Sequence, residues 1–112
     1  AHNCGFIAID PNENFPIDVK AGSDQYKWLQ KELESTAWLN ADWRFIFVHQ
    51  TLYSQGWEGY QGDEVLRHLL EPLLEKSEVD FVVSGHTHDY ERLTRQYGNQ
   101  RVTFLIVGGA GG

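Results

Sequence analysis

Three histidines, His49, His86 and His88, stand where short apolar runs end, and imidazole is the side chain proteins use most often to hold a metal. Two of them close the segment Val79-Asp80-Phe81-Val82-Val83-Ser84-Gly85-His86-Thr87-His88. Its apolar run reads as a buried strand, broken by Ser-Gly. On an extended backbone, side chains at i and i+2 point the same way, so His86 and His88 are expected to face one volume. His49 directly follows a second run, Arg44-Phe45-Ile46-Phe47-Val48. Two histidines at this spacing are weak evidence alone. The preceding strand, the glycine at the bend and the third histidine together point to a metal site, with His49, His86 and His88 as its ligands.

Bringing these residues together requires particular elements. Residues 3–10 read as a strand, and Asp10 at its end is a candidate for the same edge. Pro11 to Gly22 reads as a loop. Ser23 suits an N-cap for a helix running to about Leu39, with Tyr26, Leu29, Leu33 and Ala37 as its inward stripe and Trp28 and Trp38 beside it. The strand 44–48 then leads to His49. The loop from Gln50 to Gly62 carries Tyr53, Trp57 and Tyr60, which suit a wall of the site or, more simply, packing against the domain. Asp63 can cap a second helix that turns Val65, Leu66, Leu69, Leu70, Leu73 and Leu74 inward, with Pro72 expected to kink or restart it. After the strand 79–83, the runs 93–97 and 101–107 flank Gly98-Asn99, a hairpin signal. The pattern is β-α-β-α-β followed by a hairpin, an α/β fold. Strands separated by helices are usually parallel neighbours, and their carboxyl ends then share the edge where open α/β sheets bind ligands.

Composition narrows the function further. The chain has 112 residues, enough for one domain with a modest core, and its net charge is −7. That acidity argues against nucleic acid or an anionic membrane as the main partner. Cys4 is the single cysteine, so no disulfide closes within the chain. No apolar stretch approaches the roughly 20 residues needed to span a bilayer. His68, inside the second helical pattern, has no partner at ligand spacing and reads as a surface or boundary residue, and His2 is set aside as a residue of the terminus. The chain opens almost directly into a strand and closes on Gly108-Gly109-Ala110-Gly111-Gly112, so it reads as a piece of something longer.

Several motifs, in order, resemble calcineurin-like metallophosphoesterases, most closely their purple acid phosphatase branch. Ser84-Gly85-His86-Thr87-His88-Asp89-Tyr90-Glu91-Arg92 resembles the family's GHxHxYER segment. Asp24-Gln25-Tyr26-Lys27-Trp28-Leu29 resembles its QYxWL helix, and Phe47-Val48-His49 with Tyr53-Ser54 its HxPxYS stretch. Leu70 to Lys76 resembles the helix before GHxH, and Val107 to Gly112 the glycine-rich turn after the late strand. The resemblance implies a single partial domain over 1–112, one half of a four-layer αββα sandwich. It implies hydrolysis of phosphate esters by a dinuclear centre of Fe, Zn or Mn, with His49 and His86 on one metal and His88 on the other. Two cations lower the pKa of bound water and withdraw charge from phosphoryl oxygens. A secreted, lumenal or periplasmic setting is implied by resemblance alone.

The family's earlier D-x-H, G-D-x-x-[DY] and G-N-H-[ED] motifs, which supply bridging carboxylate and Asn ligands, do not occur in this sequence. At most one weakly held metal and negligible activity are therefore expected of this chain alone. Where relatives carry a phosphate-contacting histidine, the loop reads Tyr53-Ser54-Gln55-Gly56-Trp57-Glu58-Gly59, and Glu58 would repel an anion there. Asp10, Tyr53, Glu58 and Tyr90 are candidates for the edge of the site, and Glu91-Arg92 for a structural ion pair with neighbouring strands rather than a catalytic one. The alternative is a non-catalytic module that binds metal weakly or not at all and associates through an exposed sheet face as a homo-oligomer. Other HxH hydrolases fit less well, because the metallo-β-lactamase pattern HxHxDH places its Asp one position later than Asp89.

Overall fold

A computed structural model describes residues 3–11, 20–56 and 58–109. The expected positions of His2, Trp57, most of the 11–22 loop and the last three residues of the glycine-rich turn lie outside the described residues. Five strands form one sheet in the order β1-β2-β3-β5-β4. β1 (Cys4–Ile9), β2 (Trp43–Val48), β3 (Phe81–Ser84) and β5 (Gln100–Val107) run parallel, and β4 (Tyr90–Tyr97) pairs antiparallel with β5 at the edge. Gly98, at φ +58, makes the tight turn between the last two. This is the expected β-α-β-α-β plus hairpin, with the mixed sheet and helices of half an αββα sandwich.

The connections explain where the core lies. α1 (Asp24–Leu33) and α2 (Thr36–Leu39) join β1 to β2, and α3 (Glu64–Lys76) joins β2 to β3. Right-handed crossovers that step in one direction along a sheet put their helices on one face. The strand residues on that face are buried, namely Ile7, Ile9, Ile46, Val48, Val82, Val102, Phe104 and Ile106. They meet Leu29 and Leu33 of α1, Trp38 of α2, and Leu66, Leu70, Leu73 and Leu74 of α3.

Two helix expectations are corrected. The helix from Ser23 does not run unbroken to Leu39. Ser35 takes an extended conformation (φ −68, ψ 150) and its hydroxyl accepts from the Trp38 amide at 3.2 Å, starting the separate turn α2. That restart buries Trp38, whose indole N–H donates to the Ser77 carbonyl at 3.0 Å, and leaves Ala37 exposed. Pro72 neither ends nor restarts α3. The hydrogen bond it forfeits is to His68, on an exposed part of the helix where water can replace it, while leucines on both sides of Pro72 anchor the helix to the core. Val65 is 45% exposed and does not join that core.

Candidate metal centre

β2 and β3 pair in register from Phe45–Phe81 to Val48–Ser84, and the Gly85 amide donates to the His49 carbonyl at 3.0 Å, one step past the ladder. Two histidines far apart in sequence are thereby set at one sheet edge. His86 Nδ1 lies 3.4 Å from His49 Nε2, and the rings meet edge to face at 5.2 Å between centroids. The Gly85 α-carbon faces His49, where an added β-carbon would come within 3.8 Å of the imidazole. A shallow concavity of about 370 Å³ opens beside His49 at the ends of β1, β2 and β3.

The backbone through the two-histidine segment is not extended. The Thr87 amide donates back to the Gly85 carbonyl at 2.8 Å and the Asp89 amide to the Thr87 carbonyl at 2.9 Å. His86 sits inside the first of these tight turns at φ +68, a conformation uncommon for a residue with a β-carbon. Strain of this kind persists only where the surroundings enforce it, and it clusters at functional sites. Thr87 is the enforcing residue: it is fully buried, and its hydroxyl lies 3.3 Å from that of Ser54. Gly108 supports it from the other side, since a β-carbon at 108 would collide with the Thr87 carbonyl. With Thr87 drawn inward, His86 is left half-buried and His88 exposed. A double turn thus replaces the extended backbone on which a common facing of the two histidines was expected.

Electrostatics tie the three histidines together. Burial, then the charges of His49 and His88, push His86 below the usual imidazole range, while Asp63 acts in the opposite sense. The Tyr60 ring stands edge-on to His86 at 5.8 Å, so one loop aromatic does form a wall. A neutral His86 beside His49 offers two nitrogen lone pairs to one cation, which fits a divalent transition metal. Among the described residues, no three His, Cys, Asp or Glu side chains gather into a ready-made metal-holding group.

Asp10 directly follows Ile9, which pairs with Val48 and lines the same concavity, so it stands at the end of β1 beside that edge. The Asp10 backbone is clasped by the Gln25 amide, which donates to its carbonyl and accepts from its N–H, both at 2.8 Å. Tyr90 is 67% exposed, and Glu58 is also exposed. Tyr53 turns toward the helix-covered face, edge-on to Phe104 at 5.3 Å, and its hydroxyl donates to Glu71 at 2.6 Å. Glu91 is held by hydrogen bonds to a loop. Its carboxylate accepts from Ser54 Oγ and from the Gln55 amide, each at 2.7 Å, and so fastens the loop after His49 to β4. Sequence reasoning missed this latch because Ser54 and Glu91 become neighbours only when the hairpin folds against the loop. No helix is long and apolar enough to cross a membrane among the described residues.

Comparison with known proteins gives one consistent picture. Residues 5–90 match the family described as Calcineurin-like phosphoesterase. Purple acid phosphatase 22 of Arabidopsis thaliana is 38% identical over 84 residues, covering 74% of this chain and 19% of the relative. The Fe(3+)-Zn(2+) purple acid phosphatase 12 of the same plant is 38% identical over 85 residues, covering 76% of this chain and 18% of the relative. A purple acid phosphatase from yellow lupin seeds superposes with a TM-score of 0.76 at 25% identity, over 93% of this chain and 21% of that one. GAP50, the anchor in the inner membrane complex of Plasmodium, superposes with a TM-score of 0.73 at 30% identity, over 94% and 32%. The chain therefore spans less than a third of that solved structure and about a fifth of the two plant enzymes' length.

Proposed function

The chain belongs to the calcineurin-like phosphoesterase family, and from that premise we propose that it supplies the histidine side of a metal centre that hydrolyses phosphate esters. His49, His86 and His88 are the proposed ligands. The observation that carries this reading is the 3.4 Å approach of His86 Nδ1 to His49 Nε2 at the ends of adjacent parallel strands, with His86 held in a strained turn. When bound, a pair of metal ions would acidify a water and withdraw charge from the phosphoryl oxygens. The chain's own part is to orient the imidazoles: Thr87 is buried behind them, Gly108 lets the backbone approach, and Tyr60 stands against His86. The Fe(3+)-Zn(2+) enzyme among its relatives supports Fe and Zn as the metals of the whole protein, two in number, and Mn is proposed on ligand chemistry alone. Phosphate esters are the proposed substrates, and a secreted or lumenal compartment is proposed on family likeness.

Histidines alone make an incomplete centre, because a charged metal pair also needs hard carboxylate ligands. The test is metal stoichiometry after equilibration with Zn and Mn, measured beside His86→Ala. At most one ion per chain is expected, lost on substitution, with negligible hydrolysis of phosphate esters by the 112-residue chain. Two tightly held ions, or brisk metal-dependent turnover, would overturn the half-centre reading. A second reading, a non-catalytic module, is favoured by the likeness to GAP50, described as an anchor, and by the lack of a ready three-ligand group among the described residues. Absence of phosphate ester hydrolysis by the metal-loaded whole protein would select it. In either case, copies of the chain are proposed to associate through the exposed sheet face when nothing else covers it.

A further inference from the structure

The chain carries a net charge of −7, yet one cavity gathers three of its arginines. It measures about 600 Å³ and lies between Tyr53, Ser54, Gln55 and Gln61, the start of α3 and the edge strand β4. Arg67 comes from α3, and Arg92 and Arg95 come from β4. Tyr53 organises two of the three. Its ring has the Arg67 guanidinium 4.9 Å from its centroid and that of Arg95 at 4.8 Å. Arg67 is fixed further by donating to the Leu52 carbonyl at 3.2 Å. Two like charges brought onto one ring repel each other, and a bound anion would relieve that repulsion.

Glu91 is the one carboxylate among the lining residues, and both its oxygens already accept hydrogen bonds, from Ser54 and Gln55. Its charge is therefore partly spent on the loop, and even with Glu71, which accepts from the Tyr53 hydroxyl, three guanidinium groups stand against two carboxylates. Guanidinium forks match phosphoryl oxygens in pairs, and planar groups already held in place lose little freedom on binding. The volume lies in the range of pockets for small organic ligands, well beyond what four oxygens fill. Leu93 and Ile106 supply apolar wall.

We propose that this cavity is a second anion site, in which Arg67, Arg92 and Arg95 hold a phosphate group, either free or carried on a small apolar body resting against Tyr53. It uses none of the three histidines, so it stands or falls independently of the metal centre. The protein, stripped with EDTA, is titrated with inorganic phosphate in one arm and phenylphosphonate in the other. Arginine side-chain and histidine-ring resonances are followed by NMR. Saturable shifts are expected at the three guanidinium groups and not at the histidine rings. Equal affinity in both arms identifies free phosphate as the ligand, and tighter phenylphosphonate identifies an organic phosphate. Arg92→Gln, an exposed change on the edge strand, is expected to weaken binding about tenfold. Shifts confined to the histidines, shifts reproduced by chloride at equal ionic strength, or unchanged affinity in Arg92→Gln would overturn the proposal. Should that variant fail to fold, the guanidinium titration of the unsubstituted protein decides alone.

Discussion

The two faces of the sheet use similar residues to opposite effect. On the helix-covered face, Ile46, Val82 and Phe104 are almost wholly buried. On the other face a band of aromatic rings runs across three strands: Phe6 stacks on Phe45 at 5.2 Å, Phe45 on Phe81 at 5.0 Å, and Trp43 lies 6.1 Å from Phe81. Phe6 is nonetheless 62% exposed and Trp43 50%. Cross-strand ring contacts order these side chains without removing them from water. Strands apolar on both faces are the mark of a sheet meant to be covered twice. Half of an αββα sandwich presents such a face to its opposing sheet. Apolar composition therefore does not by itself measure stabilisation, because burial decides what each ring contributes.

The difference can be broken by substitution. Phe104→Ala, on the covered face, is expected to cost about 3–5 kcal/mol through lost burial and the cavity left behind, read as a fall in urea midpoint. A loss below 1 kcal/mol would mean the helix layer is not packed as described.

Tyr97 and Tyr53 fasten the rim of the covered face by donating to the same Glu71 oxygen. Tyr97→Phe is expected to cost about 1–2 kcal/mol near neutral pH. Burial and the Glu71 carboxylate raise both phenols above their ordinary 10.0. The unfolded chain releases those protons first, so this contribution is complete below about pH 10 and is lost as the pH rises beyond it. The fall in stability between about pH 9 and 11 should be shallower in Tyr97→Phe. An identical slope would remove the cluster from the account.

Phe6→Ser, on the bare face, is expected to change stability by no more than about 0.5 kcal/mol. Its effect should appear in light scattering instead, as reduced self-association at high concentration. A large loss of stability would show that the face is already covered in solution.

Much of this was legible because the relevant physics is local. Ser23 and Asp63 cap α1 and α3 through their own side chains, accepting from Tyr26 and Leu66, as their residue types indicate. Leucines at helical spacing chose the buried face of α3, and apolar runs marked all three early strands. The break at Ser35 was illegible. Helix propensity through 34–36 is ordinary, and the chain restarts there because Trp38 gains a buried site and a hydrogen bond on Ser77, 39 residues away. Of the two outcomes expected at Pro72, the restart did not occur, since tertiary anchoring outweighed its local preference.

The sequence by itself determined which side chains are available for chemistry and that strand ends would carry them. His49, His86 and His88 follow apolar runs whatever the packing. Only the tertiary structure decided that β2 and β3 are neighbours in a register that sets His86 against His49. It also turned Tyr53 away from those histidines, to stand between Arg67 and Glu71. Residue spacing governs which way a side chain points along its own element. Which element it then faces depends on the simultaneous burial of residues that no local pattern connects.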